Sequence, residues 1–204
     1  MNVAAISKKL FTVKEYIEFD ENNGTRHEFY NGILYPIAGT SDTHNEVVFK
    51  VSMALYSEFN KRGCKVFSEN VKLQIVENGK YVYPDVMLTC DERDANSRFI
   101  KRFASLVVEV LSKSTAAYDR GLKFNEYQTL ACLQYYLLVD SRWQSAELYS
   151  RTNDPEVWTY QRFSKPTDII VFPQLNFQLS LKDIYESVNI PERFSYLMDK
   201  DEND

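Results

Sequence analysis

The chain has 204 residues, of which 44% are hydrophobic, and it carries a formal net charge of −5. This length and composition predict one globular domain over residues 1–204 and exclude a disordered chain. No segment approaches the roughly 20 apolar residues that span a bilayer, so no membrane partner is expected. The acidic balance argues against coating nucleic acid through bulk charge, although it leaves room for a local basic groove.

The cysteine and histidine content bears on the compartment and on metal chemistry. Cys64, Cys90 and Cys132 are far apart, odd in number and without a CxxC pair, and the N-terminal segment has no apolar leader. These features predict three reduced, buried thiols in a cytoplasmic protein. With His27 and His44 as the two histidines, a zinc cluster of His and Cys is not expected. Any metal should be Mg²⁺ or Mn²⁺ bound by carboxylate oxygens.

The first predicted elements are a helix and a hairpin. Thr12 and Glu15 have the spacing of a capping box, which predicts a short helix over about residues 13–20. Asn31-Gly32 separates two runs rich in aromatic and branched residues. Both residues of this pair tolerate the positive φ of a type I′ turn, so the segment predicts a β-hairpin.

A longer helix follows the hairpin. The run from Ser41 to Thr43 supplies a helix cap, and Thr43 with Glu46 repeats the capping-box spacing. Apolar residues then recur at helical spacing up to residue 59, and Gly63 ends the helix. The remaining predicted elements are strands at 64–67, 71–75, 81–88, 106–111 and 134–139, a charged surface excursion at 91–102, a helix at 116–130, an antiparallel pair at 146–150 and 157–163, an edge strand at 169–172, a short helix at 180–187 and a frayed acidic tail at 199–204.

Two of these strands each carry one carboxylate. Residues 81–88 contain Asp85 and residues 106–111 contain Glu109, each in the middle of its predicted strand. Burying a lone carboxylate is costly, so the two need partners, and one divalent metal would serve both. The alternative is that Asp85 pairs with a lysine or caps a turn while Glu109 faces solvent at the end of the sheet.

A lysine-bearing helix follows the second carboxylate. On the helix predicted over residues 116–130, Asp119 and Lys123 are one turn apart and share a face. Phosphodiester hydrolysis needs two carboxylates that hold a metal and a lysine that orients water or balances negative charge. The alternative for Lys123 is an ordinary i, i+4 pair with Asp119.

Three segments, in this order, resemble the Uma-two family of the PD-(D/E)XK, restriction-endonuclease-like superfamily: Pro84-Asp85, residues 108–115 and residues 118–127. The hairpin, His44-Asn45 and the strand near residues 135–140 fit the same pattern, so the resemblance covers a core of about residues 12–151. It implies an α/β fold with a restriction-endonuclease-like core. In this fold helices flank a central mixed β-sheet, and an N-terminal hairpin is added.

The resemblance also implies an activity and a site. The protein would be a Mg²⁺- or Mn²⁺-dependent endonuclease acting on DNA, and Asp85 and Glu109 would bind the metal with the backbone carbonyl of Val110. The superfamily usually places a lysine two positions after the second carboxylate, where this chain has Leu111. An aliphatic side chain cannot activate water. The resemblance implies that the lysine has moved onto the following helix, where Lys123 is the candidate for that role.

Further residues are implied near this site. Glu28 would be a third acidic residue close to the metal, or else an exposed strand residue beside Arg26. His44 would contact a phosphate, or else only cap its helix. Lys113 and Arg120 would flank the site and contact the substrate. Such cations are more usually solvated surface charges. The further candidates for substrate contact are Lys61, Arg62, Lys65, Arg98, Lys101 and Arg102.

Three hypotheses of function follow from the sequence. The first is a DNA endonuclease, for which a homodimer would let two sites address both strands. The second is a non-catalytic module that keeps the fold and binds nucleic acid or protein, which Leu111 and the acidic balance favour. The third is a metal-dependent hydrolase that acts on another phosphate or sugar substrate.

Overall fold

The computed structural model describes residues 9–37 and 39–192; the predicted acidic tail at 199–204 lies outside them. The helices are α1 (Val13–Asn22), α2 (Asp42–Phe59), α3 (Ala116–Tyr118), α4 (Phe124–Gln128) and α5 (Leu181–Tyr185). The strands are β1 (His27–Tyr30), β2 (Ile33–Pro36), β3 (Lys65–Ser68), β4 (Lys72–Val76), β5 (Lys80–Val82), β6 (Val86–Thr89), β7 (Ile100–Lys101), β8 (Ala104–Leu111), β9 (Tyr135–Asp140), β10 (Ala146–Arg151), β11 (Trp158–Phe163), β12 (Ile169–Phe172) and β13 (Phe177–Ser180). None of the helices in these ranges combines the length and hydropathy needed to cross a bilayer.

The strands form two larger sheets. The central sheet has six strands in the order β11-β10-β9-β8-β6-β3, and the N-terminal sheet has five in the order β2-β1-β5-β4-β7. In the central sheet β8 and β9 are parallel and their neighbours are antiparallel, so this sheet is mixed. Helices flank it, and the predicted α/β architecture is confirmed.

Strand β8 separates two apolar cores. Leu106, Val108 and Val110 of β8 belong to the core beneath α2 and α5. Val107 and Leu111 belong to a second core, which also takes residues of α4 and of the N-terminal sheet. Because side chains alternate along a strand, Glu109 points to this second side. The side chain of Glu109 is therefore directed toward the helical segment that carries Lys123.

Local sequence signals account for the N-terminal elements. The capping box of Thr12 and Glu15 is present at the start of α1, and the helix continues two residues beyond the predicted end. Strands β1 and β2 form the predicted hairpin, with positive φ at both Asn31 and Gly32. The start of α2 differs from the capping-box prediction at Thr43, because Ser41 is the N-cap and its hydroxyl accepts from the His44 amide.

The strand predicted over 81–88 is wrong as a single element. The chain leaves the N-terminal sheet after β5 and enters the central sheet at β6, so residues 83–85 connect two different sheets. Pro84 explains the break, since it has no amide to donate and restricts the residue before it. Asp85 consequently lies at the junction between the sheets, immediately before β6.

Two predictions from outlying segments are also corrected. Strand β12 pairs with β13 in a separate two-stranded sheet, so it is not an edge of the central sheet. The charged segment 91–102 is not purely a surface excursion, because Asp94 and Lys101 are buried within it. Asp94 accepts from the backbone amides of Arg102 and Phe103, which satisfies its carboxylate inside the protein.

The prediction of three reduced thiols is wrong for one pair. Cys64 and Cys90 form a disulfide with their Cα atoms 4.2 Å apart. They flank the antiparallel pair of β3 and β6, in which Lys65 is opposite Thr89, so the register places the two cysteines opposite each other. Cys132 is a free, partly buried thiol.

Candidate active site

Asp85 is fixed next to β8 by a backbone hydrogen bond. The amide of Val110 donates to Asp85 Oδ2 over 2.7 Å. This amide lies beyond the last β6–β8 pair, in which Val86 is opposite Val108, so the carboxylate takes the place of a strand partner. The break at Pro84 therefore brings Asp85 beside the backbone that follows Glu109.

Glu109 is buried and has two side-chain partners. Its Oε1 atom accepts from Lys123 Nζ at 2.8 Å and from the Tyr127 hydroxyl at 2.7 Å. The exposed fraction of Glu109 is 3%, so it does not face solvent at a sheet end. The interpretation of Lys123 as an ordinary pair with Asp119 is also not what the structure shows, since its ion pairs are with Glu109 and Glu28.

A π-helical turn over Asp119–Lys123 joins α3 to α4. Both Asp119 and Lys123 are buried. The turn lies on the same side of the central sheet as Glu109, so the ammonium of Lys123 reaches a strand carboxylate from the helix. Short π-helical turns inside helices occur frequently at functional sites.

Glu28 comes to this place from the N-terminal sheet. Its Oε1 lies 3.6 Å from Lys123 Nζ, and its Oε2 accepts from the Tyr30 hydroxyl at 3.2 Å. The Tyr118 hydroxyl donates in turn to the oxygen of Tyr30. Glu28 is buried, so the alternative of an exposed strand residue beside Arg26 is not observed.

Negative charge is in excess around Lys123. Burial raises the pKa of Glu109 well above its usual range, and the nearby carboxylates of Asp85 and Asp119 add to this rise against the opposing charge of Lys123. Burial likewise raises the pKa of Asp119. For Lys123 burial favours the neutral amine, but the surrounding carboxylates outweigh it and hold its pKa well above the usual range. Glu28, Glu109 and Asp119 thus share one ammonium.

His44 borders Asp85 from the start of α2. Its Nε2 lies 3.4 Å from Asp85 Oδ2, and its buried Nδ1 has no hydrogen-bond partner among the described residues. Burial lowers the pKa of His44, but the Asp85 carboxylate and the Val110 carbonyl outweigh it, so the net shift is upward. The imidazole therefore interacts with a side chain of the cleft, in addition to lying at a helix start.

These groups line one open cleft with a volume of about 1190 Å³. Glu28, His44, Asp85, Glu109 and Lys123 all contribute to its wall, as do Val110, Asp119, Lys113 and Arg142. Arg120 does not line this cleft. It donates to both oxygens of Glu147 and lines a neighbouring cavity. The other cations named from the sequence (Lys61, Arg62, Lys65, Arg98, Lys101 and Arg102) also lie outside the cleft wall.

The donor set fits a hard divalent cation. Within residues 9–37 and 39–192, no three His, Cys, Asp or Glu side chains form a group that could hold a metal ion. Mg²⁺ does not require such a group, because it is commonly bound by one or two carboxylates and keeps several waters. Asp85 Oδ1 and Glu109 Oε2 have no hydrogen bond to any described residue. Two carboxylate oxygens therefore remain available at the cleft.

Sequence reasoning missed two residues of this region. Tyr127 is not among the candidate site residues predicted from the sequence, but its hydroxyl donates to Glu109. The signal for it was helical spacing, since Tyr127 is four residues after Lys123 and shares its face. Arg142 was not considered, although Asp140-Ser141-Arg142 at the end of a buried strand was a visible motif.

The two-sheet arrangement is a restriction-endonuclease-like fold. A crystal structure titled as "a putative nuclease belonging to DUF820" from Anabaena variabilis matches with a TM-score of 0.68, covering 86% of this chain and 97% of that chain. The sequence identity is 16%, so this match shows the fold alone. The model of the Uma2 family, described as "Putative restriction endonuclease", matches residues 13–182. The chain belongs to the Uma2 family.

Two proteins from Synechocystis sp. are similar to this chain over more than two thirds of its length. The uncharacterized protein slr1290 is 33% identical over 175 residues, covering 86% of this chain and 91% of that protein. The uncharacterized protein sll1609 is 37% identical over 148 residues, covering 72% of this chain and 84% of that protein.

Proposed function

We propose that this protein is a metal-dependent endonuclease that hydrolyses phosphodiester bonds of DNA. The observation that carries the proposal is the convergence of three buried carboxylates on Lys123, with the half-buried Asp85 on the wall of the same open cleft. A buried excess of negative charge is unfavourable unless a cation offsets it. Membership of the Uma2 family supports a nuclease.

The residues divide the work by position. Asp85 and Glu109 would hold the ion, Mg²⁺ or Mn²⁺, through the carboxylate oxygens that face no protein donor, with the Val110 carbonyl as a further ligand. Once bound, the ion lowers the pKa of water and stabilises negative charge on a phosphate. Glu28 balances the charge of Lys123 from the opposite sheet. Tyr127 holds Glu109 in position through its hydroxyl.

Lys123 has the role of a charged partner to the reacting phosphate. Its pKa is held high by three carboxylates, so it is an ammonium at neutral pH and does not act as a base. An ammonium can orient water or balance charge that develops on the phosphate. His44 and Lys113, which border the same cleft, are proposed to contact substrate phosphates.

A plasmid-nicking assay in Mg²⁺ and in Mn²⁺ tests the proposal. We expect Asp85→Asn, Glu109→Gln and Lys123→Ala to lose nicking. Matched controls are Asp94→Asn and Lys101→Ala, which also remove buried charges but lie outside the cleft. Equal nicking by wild type and Asp85→Asn would identify a contaminating nuclease and overturn the proposal that this protein is an endonuclease.

Metal binding gives a second, independent measurement. Calorimetric titration with Mn²⁺ should show binding to wild type and loss of binding for Glu109→Gln, while circular dichroism shows an unchanged fold. Unchanged affinity would contradict the role of Glu109 as a ligand.

The non-catalytic module has one observation in its favour. Leu111, at the position where the superfamily usually has its lysine, is buried in the second apolar core. Metal-dependent DNA binding without nicking would support the module, and hydrolysis of a small phosphate ester without nicking would support the third hypothesis.

The homodimer and the cytoplasmic location stay predictions, and the Cys64–Cys90 disulfide removes the argument for the cytoplasm from reduced thiols. Sedimentation analysis tests the dimer.

A further inference from the structure

A second cavity of about 380 Å³ lies beside the cleft, and Arg142 lines both. This volume falls within the range of roughly 300–1,000 Å³ that is typical of small-molecule sites. Its wall combines arginines with carboxylates and aromatic rings, and the groups that matter below are Arg120, Asp140, Arg142, Glu147, Tyr160 and Arg162. The proposed metal ligands do not contribute to this wall.

Arg142 is held rigidly at the boundary of the two cavities. Asp140, which is 2% exposed at the end of β9, accepts from the Arg142 amide, from its Nε at 2.9 Å and from its Nη2 at 2.7 Å. The guanidinium therefore uses one edge for a buried carboxylate. Nη1 has no protein partner among the described residues, so its two N–H groups are available to an anion. A fixed guanidinium loses little conformational entropy on binding a phosphate.

The rest of the wall supplies one net positive charge and an exposed ring. Arg120, Arg142 and Arg162 face two carboxylates, those of Asp140 and Glu147. Tyr160 is 51% exposed. The centroid of its ring lies 5.1 Å from that of Tyr149, its half-buried partner across β10 and β11, so this neighbour supports the ring from one side.

We propose that this cavity is a subsite for one unpaired nucleotide of the DNA strand that the cleft binds. The phosphate contacts Arg142 Nη1, and the base lies against Tyr160. The proposal rests on the proposed function, because the strand is the one that continues from the metal site. An anion donor and an exposed aromatic ring within one small cavity match a nucleotide, and stacking on tyrosine needs a base that is not already stacked in a duplex.

Fluorescence anisotropy with labelled DNA tests the subsite without requiring cleavage. A single-stranded oligonucleotide and the blunt duplex of the same sequence are titrated in Ca²⁺ and, in parallel, in EDTA. We expect Arg142→Gln to weaken single-strand binding about tenfold and to lower the slope of log affinity against log salt by about one. Tyr160→Leu should weaken single-strand binding about tenfold with an unchanged salt slope, and should leave duplex binding unaltered.

The chain offers a matched control for Arg142. Arg93 binds Asp91 two residues earlier through its amide, Nε and Nη2 in the same pattern, but it lies outside both cavities. Arg93→Gln should bind single strands as wild type does. Because Tyr160 is half exposed, Tyr160→Leu keeps its fold even where Arg142→Gln destabilises the protein, and thermal melts verify both.

The outcomes separate the two proposals. Wild-type affinity for single strands in both Arg142→Gln and Tyr160→Leu, with Asp85-dependent nicking intact, would overturn the subsite alone. If both variants lose single-strand binding and the wild type never nicks plasmid, the subsite would be supported and the nuclease proposal would be overturned. Absence of single-strand binding by the wild type would overturn the subsite directly.

Discussion

Lys123 Nζ lies 2.8 Å from Glu109 Oε1 although the lysine is on a helix and the glutamate is in the middle of a central strand. Both residues are at most 5% exposed. The pair joins the π-helical turn to β8, and Glu28 extends it to the N-terminal sheet. A lysine from outside the strand thus occupies the position beside the second carboxylate.

Removing one member of this pair should destabilise the protein strongly. Lys123→Met leaves Glu109 as a buried acid without its ammonium, and we expect the free energy of unfolding to fall by about 3–5 kcal/mol. The double variant with Glu109→Gln removes both charges, so it should recover part of that loss. Urea denaturation of the two single variants and the double variant measures this coupling. Strictly additive losses would contradict the pairing.

Restoring the lysine to its usual superfamily position should fail. Leu111 is 1% exposed in an apolar core and does not line the cleft. Leu111→Lys should therefore lower stability by several kcal/mol, and Leu111→Lys with Lys123→Ala should not regain nicking. Leu111→Met is the control, with an expected loss below about 1.5 kcal/mol. Recovered nicking in the double variant would show that residue 111 reaches the cleft.

Asp20 should make the stability depend on pH in the acid range. Its carboxylate is buried and accepts from Lys72 Nζ at 2.8 Å, from the His27 amide at 2.7 Å and from the Tyr83 hydroxyl. Burial alone would raise the pKa of Asp20, but these donors outweigh it and the pKa is lowered.

A lowered folded-state pKa stabilises the protein above the unfolded pKa of roughly 3.9 and loses this effect as the pH falls through the folded value. We therefore expect Asp20→Asn to be less stable than wild type by about 3 kcal/mol at neutral pH, with a difference that shrinks below pH 4. Thermal melts across this range measure it. Asp91→Asn, at an exposed pair, should change stability far less. A difference between wild type and Asp20→Asn that stays constant down to pH 2 would count against the assignment.

Reduction of the disulfide should lower stability without affecting the cleft. Cys64 and Cys90 close a loop with a sequence separation of 26, for which chain entropy gives about 3–4 kcal/mol. Urea denaturation with and without a phosphine reductant measures the loss. The Cys64→Ser, Cys90→Ser double variant should be insensitive to the reductant, whereas Cys132→Ser should remain sensitive. Superimposable curves for oxidised and reduced wild type would contradict the bond.

Features set by neighbouring residues could be predicted from the sequence. The hairpin depends on the φ preferences of Asn31 and Gly32, and α1 depends on the capping box of Thr12, so both follow from local chemistry. Glu109 was expected to need a partner because its strand is apolar. The partner predicted for it was a divalent metal, whereas Lys123 was named through the family resemblance as the residue that activates water. The ion pair between Lys123 and Glu109 could not be predicted, because spacing along the chain does not reveal which side of the sheet a later helix covers.

Features set by distant pairing could not be predicted in this way. The Cys64–Cys90 bond follows from the register of β3 against β6, which no local pattern encodes. Pro84 indicates a break in the strand before Asp85. The change of sheet at this break could not be predicted, because it depends on the pairing of β5 with β1 and of β6 with β8. The fixed position of Arg142 could not be predicted because it depends on the burial of Asp140, and the similar motif at Asp91 is exposed.

The position of Asp85 between the two sheets links the acid cluster to complete folding. Glu28 arrives with the N-terminal sheet, Glu109 with the central sheet, and Asp85 with the connection between them. While either sheet is still unformed, these acids are not held close together in space. The acid cluster therefore exists only in the fully folded molecule, and a cation bound by it would favour that molecule over every partly folded one.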